Sequence, residues 1–382
     1  MSDKYLHIVS FDIPYPANYG GVIDVFYKLK ALHAKGVKIT LHCYEYPGRD
    51  RTEELNKYCE KVYYYPRLVG LGSAISMKPY IVTSRRSEGL MQNLLKDDAP
   101  ILFEGLHSCY HIDDKRIKDR LKIYRESNIE HRYYYNLFKV DKKVVKKLYF
   151  FVESLRLRMY QNILKHSDLM LVVSREDTDY LKEHFPDKKV NYLPSFHAND
   201  KVESLIGLGD YALYNGNIEV PENAHAVQWL INEVFAASDI KLKVAGMNPP
   251  EYIRKLASQF PNVEIIANPD DKEMFDLIKN AHVNILVTFQ ATGLKLKLLN
   301  TLYNGRFCLV NDKMLNGTGL EELCKIGNTP EMLREKLSIL FTSEFNQKQI
   351  KKRENILAKN FSNDNNAIRL IELIFTNKKS RK

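Results

Sequence analysis

A single tryptophan and only five cysteines stand among these 382 residues. The cysteines, Cys43, Cys59, Cys109, Cys308 and Cys324, are scattered and show no CxxC spacing, which speaks against a disulfide scaffold or a zinc ribbon. Cys43 and Cys308 lie in apolar, strand-like runs and read as buried thiols of a reducing compartment. Uncharged apolar runs of about 18 residues are lacking, so no membrane-crossing helix is expected. The opening MSDKYLHIVSFD lacks the basic stretch, apolar core and small-residue cleavage site of a secretory signal. A cytoplasmic protein is therefore expected. HExxH, GxSxG, SxxK, Walker A and EF-hand patterns are also missing, which removes the motif-borne hydrolases, P-loop enzymes and calcium sensors.

What is present is apolar residue in ample supply, at 45% of the chain, and a length that suits two domains. The net charge of +10 calls for anionic partners. Zinc-finger spacing and RNP-type aromatics are absent, so nucleic acid is not among them. Much of the charge lies in 139–166, KVDKKVVKKLYFFVESLRLRMYQNILKH, which reads as helix, with Lys142, Lys143, Lys146 and Lys147 beside Tyr149, Phe150 and Phe151. Two readings stay open: a solvated, partly packed helix, or peripheral contact with an anionic bilayer surface.

Strand and helix patterns alternate through the amino-terminal half. Tyr5–Phe11 and Val37–Tyr44 read as strands around a helix from Gly21 to Ala34, whose Val22, Val25, Phe26, Leu29 and Leu32 make an apolar stripe. Further strands are expected at 61–65, 100–104, 121–126, 168–174 and 190–193. A polar, glycine-containing stretch, 195–210, reads as a linker. The rhythm then restarts, with strands at Tyr211–Tyr214, Lys241–Ala245, Val263–Ala267, Val283–Thr288 and Phe307–Asn311. This is the βαβ pattern of two doubly wound parallel sheets. The expected division is 1–200, 206–344 and a mostly helical 345–382.

Ligands of such sheets bind at the carboxyl ends of strands, and five segments fall there. Thr288–Asp312, TFQATGLKLKLLNTLYNGRFCLVND, runs from strand through a turn into a helix, with Gly293 at its start and Lys295 and Lys297 in its first turn. Free helix N–H groups and lysines suit phosphate. The first loop, FDIPYPANYGGVIDVF, carries Gly20 and Gly21 at a helix start, where backbone N–H groups can approach a ligand. YNGNIEVPEN leaves a strand at Asn215-Gly216-Asn217 and enters a helix after Pro221. ILFEGLHSCYHI offers Glu104 and His107 for acid–base work or sugar contact. A metal reading of His107 and His111 lacks a third ligand at fixed spacing. RESNIEHRYY crowds Asn128, Glu130 and Arg132 just past a strand, which suits a hydroxyl-rich ligand.

Taken in order, these segments resemble the GT-B glycosyltransferases, in particular the group called family 4. PYPANYGG is similar to that family's first glycine-rich loop, and ESNIEHRYY to its "HNxE" segment. LMLVVSREDTDYL is similar to the strand before its linker, YNGNIEVPENAHAVQWL to the opening of its donor domain, and TGLKLKLLNTLYNGRFCLVN to its donor-site helix. The resemblance implies two Rossmann-like domains facing across a cleft, with a final helix crossing back to the first. It implies a nucleotide-diphosphate sugar as donor and a glycan or lipid-linked acceptor, no resident cofactor and no metal. By position, Gly20, Gly21, Asn217, Thr292, Gly293, Lys295, Lys297 and Asn300 would serve donor binding, and Asn268 the base. Asn128, Glu130 and Arg132 would face the acceptor, and Glu104, His107 and Lys295 would serve catalysis. Asn300 stands where the family commonly has Glu, and Asn217 and Ile218 where it often has Arg. A sugar transferase that retains the anomeric configuration is the leading expectation. A GT-B nucleotide-sugar epimerase and an inactive, partner-binding GT-B subunit are the alternatives.

Overall fold

The computed structural model describes residues 3–46, 48–70, 76–141, 143–289 and 296–376. Two compact units emerge. The first holds the chain up to Ala198 and the end from Phe361. The second holds 199–289 and 296–360.

The first unit is a seven-stranded parallel sheet made of β1 (Lys4–Ser10), β2 (Val37–Glu45), β3 (Lys61–Pro66), β4 (Ile101–Glu104), β5 (Lys122–Glu126), β6 (Leu169–Val172) and β7 (Lys189–Tyr192). Its order is β3-β2-β1-β4-β5-β6-β7. Alternate side chains feed two cores. Leu6, Ile8, Ile39, Leu41 and Leu102 pack on the Gly20–Ala34 helix face, while Val9, Tyr44, Ile101, Phe103 and Tyr124 pack with Leu90, Leu157 and Leu181 on the other. Strands buried on both faces need apolar residues at successive positions, hence the continuous runs in the sequence.

The second unit is a six-stranded parallel sheet of β8 (Ala212–Asn215), β9 (Leu242–Gly246), β10 (Val263–Ala267), β11 (Val283–Leu286), β12 (Phe307–Val310) and β13 (Lys325–Ile326), in the order β10-β9-β8-β11-β12-β13. Strand order in both sheets reverses beside the first strand, between β1 and β4 and between β8 and β11. Ligands of open α/β sheets bind outside the strand carboxyl ends at these points.

Residues read as a linker are in part interior. Phe196 is fully buried, and its N–H donates to Asp24 Oδ1 at 2.7 Å. His197 exchanges backbone bonds with the Asn363 amide (3.1 and 2.7 Å), and its Nε2 pairs with Phe361 O at 2.9 Å. The carboxyl-terminal segment divides. The Gln347–Phe361 helix serves the second unit, where buried Arg353 donates to Ser204 Oγ at 2.9 Å and to the Gly305 carbonyl. The Asn363–Ile371 helix lays Ala367, Leu370 and Ile371 into the first core.

Candidate functional site

In the first unit, β1 runs into the Phe11–Tyr19 loop and β4 into Gly105 and the short helix Leu106–His111. Two arginines fasten the first loop. Arg49 donates to Ile13 O (2.9 Å), Asn18 Oδ1 (2.8 Å) and the Pro16 carbonyl. Buried Arg85 donates to Phe11 O (2.8 Å) and Ile81 O (2.5 Å). Asp12 ties the same loop internally, accepting from Ile13 N and the Tyr19 hydroxyl. Gly20 opens the Gly20–Ala34 helix, whose first turn has no acidic residue and no side-chain cap. A Cβ on Gly21 would stand 2.6 Å from Phe11 Cζ, so the space left by the missing side chain belongs to a ring of the protein itself.

His107 and Glu130, assigned to separate roles from sequence, are brought together. Gly105, at φ 69°, turns the chain directly after β4 and sets His107 against Phe11, ring centroids 5.4 Å apart. His107 Nδ1 lies 3.8 Å from Glu130 Oε1, is shielded from solvent and has no hydrogen-bond partner. Burial, reinforced by the Arg85 and Arg67 cations, holds the imidazole well below its ordinary range, so it is neutral at pH 7. Burial pushes the Glu130 carboxyl up to about 8, against the pull of Arg85. A buried carboxyl pushed up in pKa beside an imidazole nitrogen with no hydrogen-bond partner makes this pair the candidate site of the first unit.

Other predicted residues of this unit lie differently. Glu104 is fully buried, and its carboxylate receives Lys28 Nζ at 2.7 Å. Lys28 also binds Asp24 (2.9 Å), and Arg125 grips Asp24 through two bonds while donating to Leu193 O and Pro194 O. Burial raises Glu104, with Lys28 opposing. Burial would also raise Asp24, but Arg125 and Lys28 outweigh it and hold that carboxyl below its ordinary range. The four groups form a charge-balanced interior network, so Glu104 is an internal tie, not a proton donor at a surface. Arg132 lies on the Tyr180 ring, 4.1 Å from its centroid. The backbone N–H of Asn128 caps Glu126 Oε1 at 2.8 Å.

In the second unit, β8 ends at Asn215. Gly216 and Gly246 let the ends of β8 and β9 close together, since a Cβ on Gly246 would stand 1.8 Å from Gly216 O. Asn217 O accepts from Asn223 Nδ2 (2.8 Å), and Asn223 Oδ1 accepts from the Tyr214 hydroxyl (3.2 Å). Asn223 is in the first turn of the Pro221–Trp229 helix. Lys297, near the start of the Leu296–Asn304 helix, reaches Asn223 Oδ1 at 3.4 Å with its ammonium 5.2 Å from the Tyr214 ring centre. The lysine thus sits at the switch point beside a helix amino terminus. Asn215 Nδ2, buried and without a hydrogen-bond partner, belongs to the same strand end. Glu222 accepts from the Thr288 hydroxyl, and Asn311 clasps the Thr288 backbone from both sides, which joins the ends of β11 and β12 to the helix.

Asn300 Oδ1 accepts from Asn304 Nδ2 at 2.8 Å, which in turn binds Asn199. Asn268, at φ 53°, holds the Asn248 N–H with its carboxamide oxygen, and Asn248 binds Glu219. Thr292, Gly293 and Lys295 lie outside the described residues. Among the described residues no group of three or more His, Cys, Asp or Glu could hold a metal ion. Sequence reading did not single out Arg49 or Arg85, gave Asn215 and Asn223 no side-chain role, and did not link Lys28, Asp24, Glu104 and Arg125. The one available signal was the Asp24/Lys28 pair, four apart on a helix otherwise read for its apolar stripe.

No protein-family model matches the chain. A curated relative, "Uncharacterized 44.6 kDa protein in cps region" of Klebsiella pneumoniae, is 26% identical over 328 residues, 82% of this chain and 84% of the relative. Among solved structures, the sucrose-phosphate synthase of Thermosynechococcus elongatus superposes with a TM-score of 0.72 at 13% identity, covering 97% of this chain and 98% of the other. TarM gives 0.67 at 9% identity, covering 98% and 99%. The UDP-forming α,α-trehalose-phosphate synthase of Burkholderia xenovorans gives 0.63 at 9%, covering 97% and 99%. These neighbours are GT-B glycosyltransferases, and the two parallel-sheet α/β units described above have the GT-B fold.

Proposed function

We propose that the protein is a glycosyltransferase of the family 4 kind, which moves a sugar from a nucleotide-diphosphate sugar to a glycan or lipid-linked acceptor. The observation that carries this reading is Lys297 beside Asn223, at the amino end of a helix and the carboxyl end of β8. A cation and free helix N–H groups at one point suit a diphosphate. In the reaction the acceptor hydroxyl oxygen bonds to the sugar's anomeric carbon as the bond from that carbon to the diphosphate breaks. The nucleoside diphosphate leaves with the bonding electron pair, and one of its oxygens takes up the hydroxyl proton. Lys297, with Lys295, Thr292 and Gly293, would stabilise the leaving diphosphate without a metal. Asn217 and Asn300 would border the donor, and Asn268 the base. The acceptor falls to the first unit, where His107 and Glu130 offer a neutral imidazole and a carboxyl near its titration point. Retention at the anomeric carbon and a cytoplasmic setting complete the proposal. The relative from a cps region supports a role in polysaccharide assembly.

The test is a thermal-shift screen with UDP, GDP and their sugar derivatives, followed by turnover with the stabilising donor. A ligand at a hundredfold excess over its Kd adds about 2.7 kcal/mol of stability. That shift should vanish in Lys297→Ala. Epimerised donor in the absence of acceptor would point to the epimerase. Failure of every nucleotide to shift the melting temperature would leave an inactive, partner-binding subunit as the better reading.

A further inference from the structure

The basic segment that sequence reads as one helix is a helical hairpin, Glu130–Val140 and Val144–Tyr160, broken at Asp141. The arms are joined by aromatics, with Phe138 and Phe151 centroids 5.2 Å apart and Tyr134 and Phe150 5.9 Å apart. Only Glu153, Ser154, Leu157 and Tyr160 of the second arm are buried. Its remaining surface is unusually apolar for an exposed helix. Val144 is 80% exposed, Val145 83%, Leu148 64% and Met159 62%, with Leu155 exposed between them. Positions 144, 148, 155 and 159 recur at helical spacing and form one stripe, about 25 Å long for a 17-residue helix. A contiguous exposed apolar stripe of this kind marks an interaction surface.

The charges around it specify the partner. Lys139, Lys143, Lys146 and Arg158 are exposed on the two arms, and Lys147 lies over the Phe138 ring. The acidic residues of the hairpin do not offset them: Glu130 and Glu153 are buried, and Asp141 is only half-buried, accepting from the Lys143 N–H. A second copy of this chain would bring the same cations against one another in a two-fold interface. An anionic bilayer satisfies both halves of the surface, since valine, leucine and methionine enter the acyl boundary while lysines reach the headgroups.

We propose that this hairpin docks the protein on an anionic phospholipid surface, with the Val144–Met159 stripe inserted. Glu130 is the first residue of the hairpin, so docking would hold the first unit's site beside the bilayer, where a lipid-linked acceptor resides. The docking itself stands independently of the transferase reading, because its test reads lipid binding and not turnover.

The experiment is co-sedimentation of the full chain with vesicles of pure phosphatidylcholine and of phosphatidylcholine with one-third phosphatidylglycerol, at low and at 0.5 M salt. Binding is expected only to the anionic vesicles and is expected to weaken with salt. Replacing Lys143, Lys146 and Lys147 by Gln should lower partitioning by about fivefold per lysine. Val145→Ser with Leu148→Ser should lower it further while leaving the melting temperature unchanged, since both side chains are exposed. No binding to anionic vesicles, equal binding to neutral ones, or concentration-dependent dimerisation abolished by Leu148→Ser would each overturn the proposal, the last by identifying the occupant as a second copy.

Discussion

At the scale of single residues, two carboxyl groups with similar sequence credentials part company. Glu104 ends β4 and Glu130 follows β5, and both are buried, yet only Glu104 meets a cation at hydrogen-bond distance. Removing that cation by Lys28→Met leaves a buried carboxylate uncompensated, and urea unfolding should show a loss of about 3–5 kcal/mol. Adding Glu104→Gln should restore much of it, since the second change removes the stranded charge. Glu130 instead carries its proton at pH 7, held up to about 8 by burial. Glu130→Gln should therefore fold normally at pH 7. If Glu130 serves the reaction, the kcat/KM profile of the wild type bends near pH 8 and that of Glu130→Gln does not. An unchanged bend in the variant would assign the titration elsewhere. None of this was legible in sequence, where both are glutamates near a strand end; the difference is made by Lys28, 76 positions away from Glu104.

At the scale of elements, most strands were legible, because a strand buried on both faces shows as an apolar run. The exceptions have local reasons. β13 is two residues long and has no run to show. The basic stretch at 139–166 carries helix-forming residues throughout, and its break at Asp141 has no glycine or proline to announce it. The Asn363–Ile371 helix was expected to be helical, but its placement depends on packing. Leu370 and Ile371 fill the core around the Gly20–Ala34 helix, and Lys35 meets Asp364 at 3.0 Å. Leu370→Ala should cost about 2–5 kcal/mol by chemical denaturation, as other buried leucines do. A value within experimental error of zero would show that the helix does not support the first core.

At the scale of the whole molecule, stability should be bounded on both sides in pH. His7 and His42 stack in the interior, with Nδ1 of the first 2.8 Å from Nε2 of the second, and burial lowers both, His42 the further. Below about pH 6.5 the unfolded chain takes up protons that the folded pair refuses, so stability is lost as pH falls through that range. Asp24, held low by Arg125 and Lys28 against its burial, adds a further loss as pH falls below its unfolded value. Glu130 acts in the opposite sense. Its folded form keeps a proton that the unfolded chain releases, so stability is lost as pH rises from the ordinary carboxyl range through about 8. The urea midpoint should peak between these limits, with each group contributing a slope of at most about 1.4 kcal/mol per pH unit. Glu130→Gln should remove the fall toward about pH 8 and, between the ordinary carboxyl range and about pH 6.5, steepen the acid-side loss that Glu130 opposes in the wild type. What the sequence determined by itself was the kind of fold: periodicity, turn residues and one restart of the βαβ rhythm are local properties, and they imply two parallel sheets with ligand sites at strand ends. What only the tertiary structure decided was which side chains meet there. His107 with Glu130, Lys297 with Asn223 and Tyr214, and Glu104 with Lys28 are juxtapositions across strand order, and strand order is set by the packing of distant segments and not by the spacing of residues along the chain.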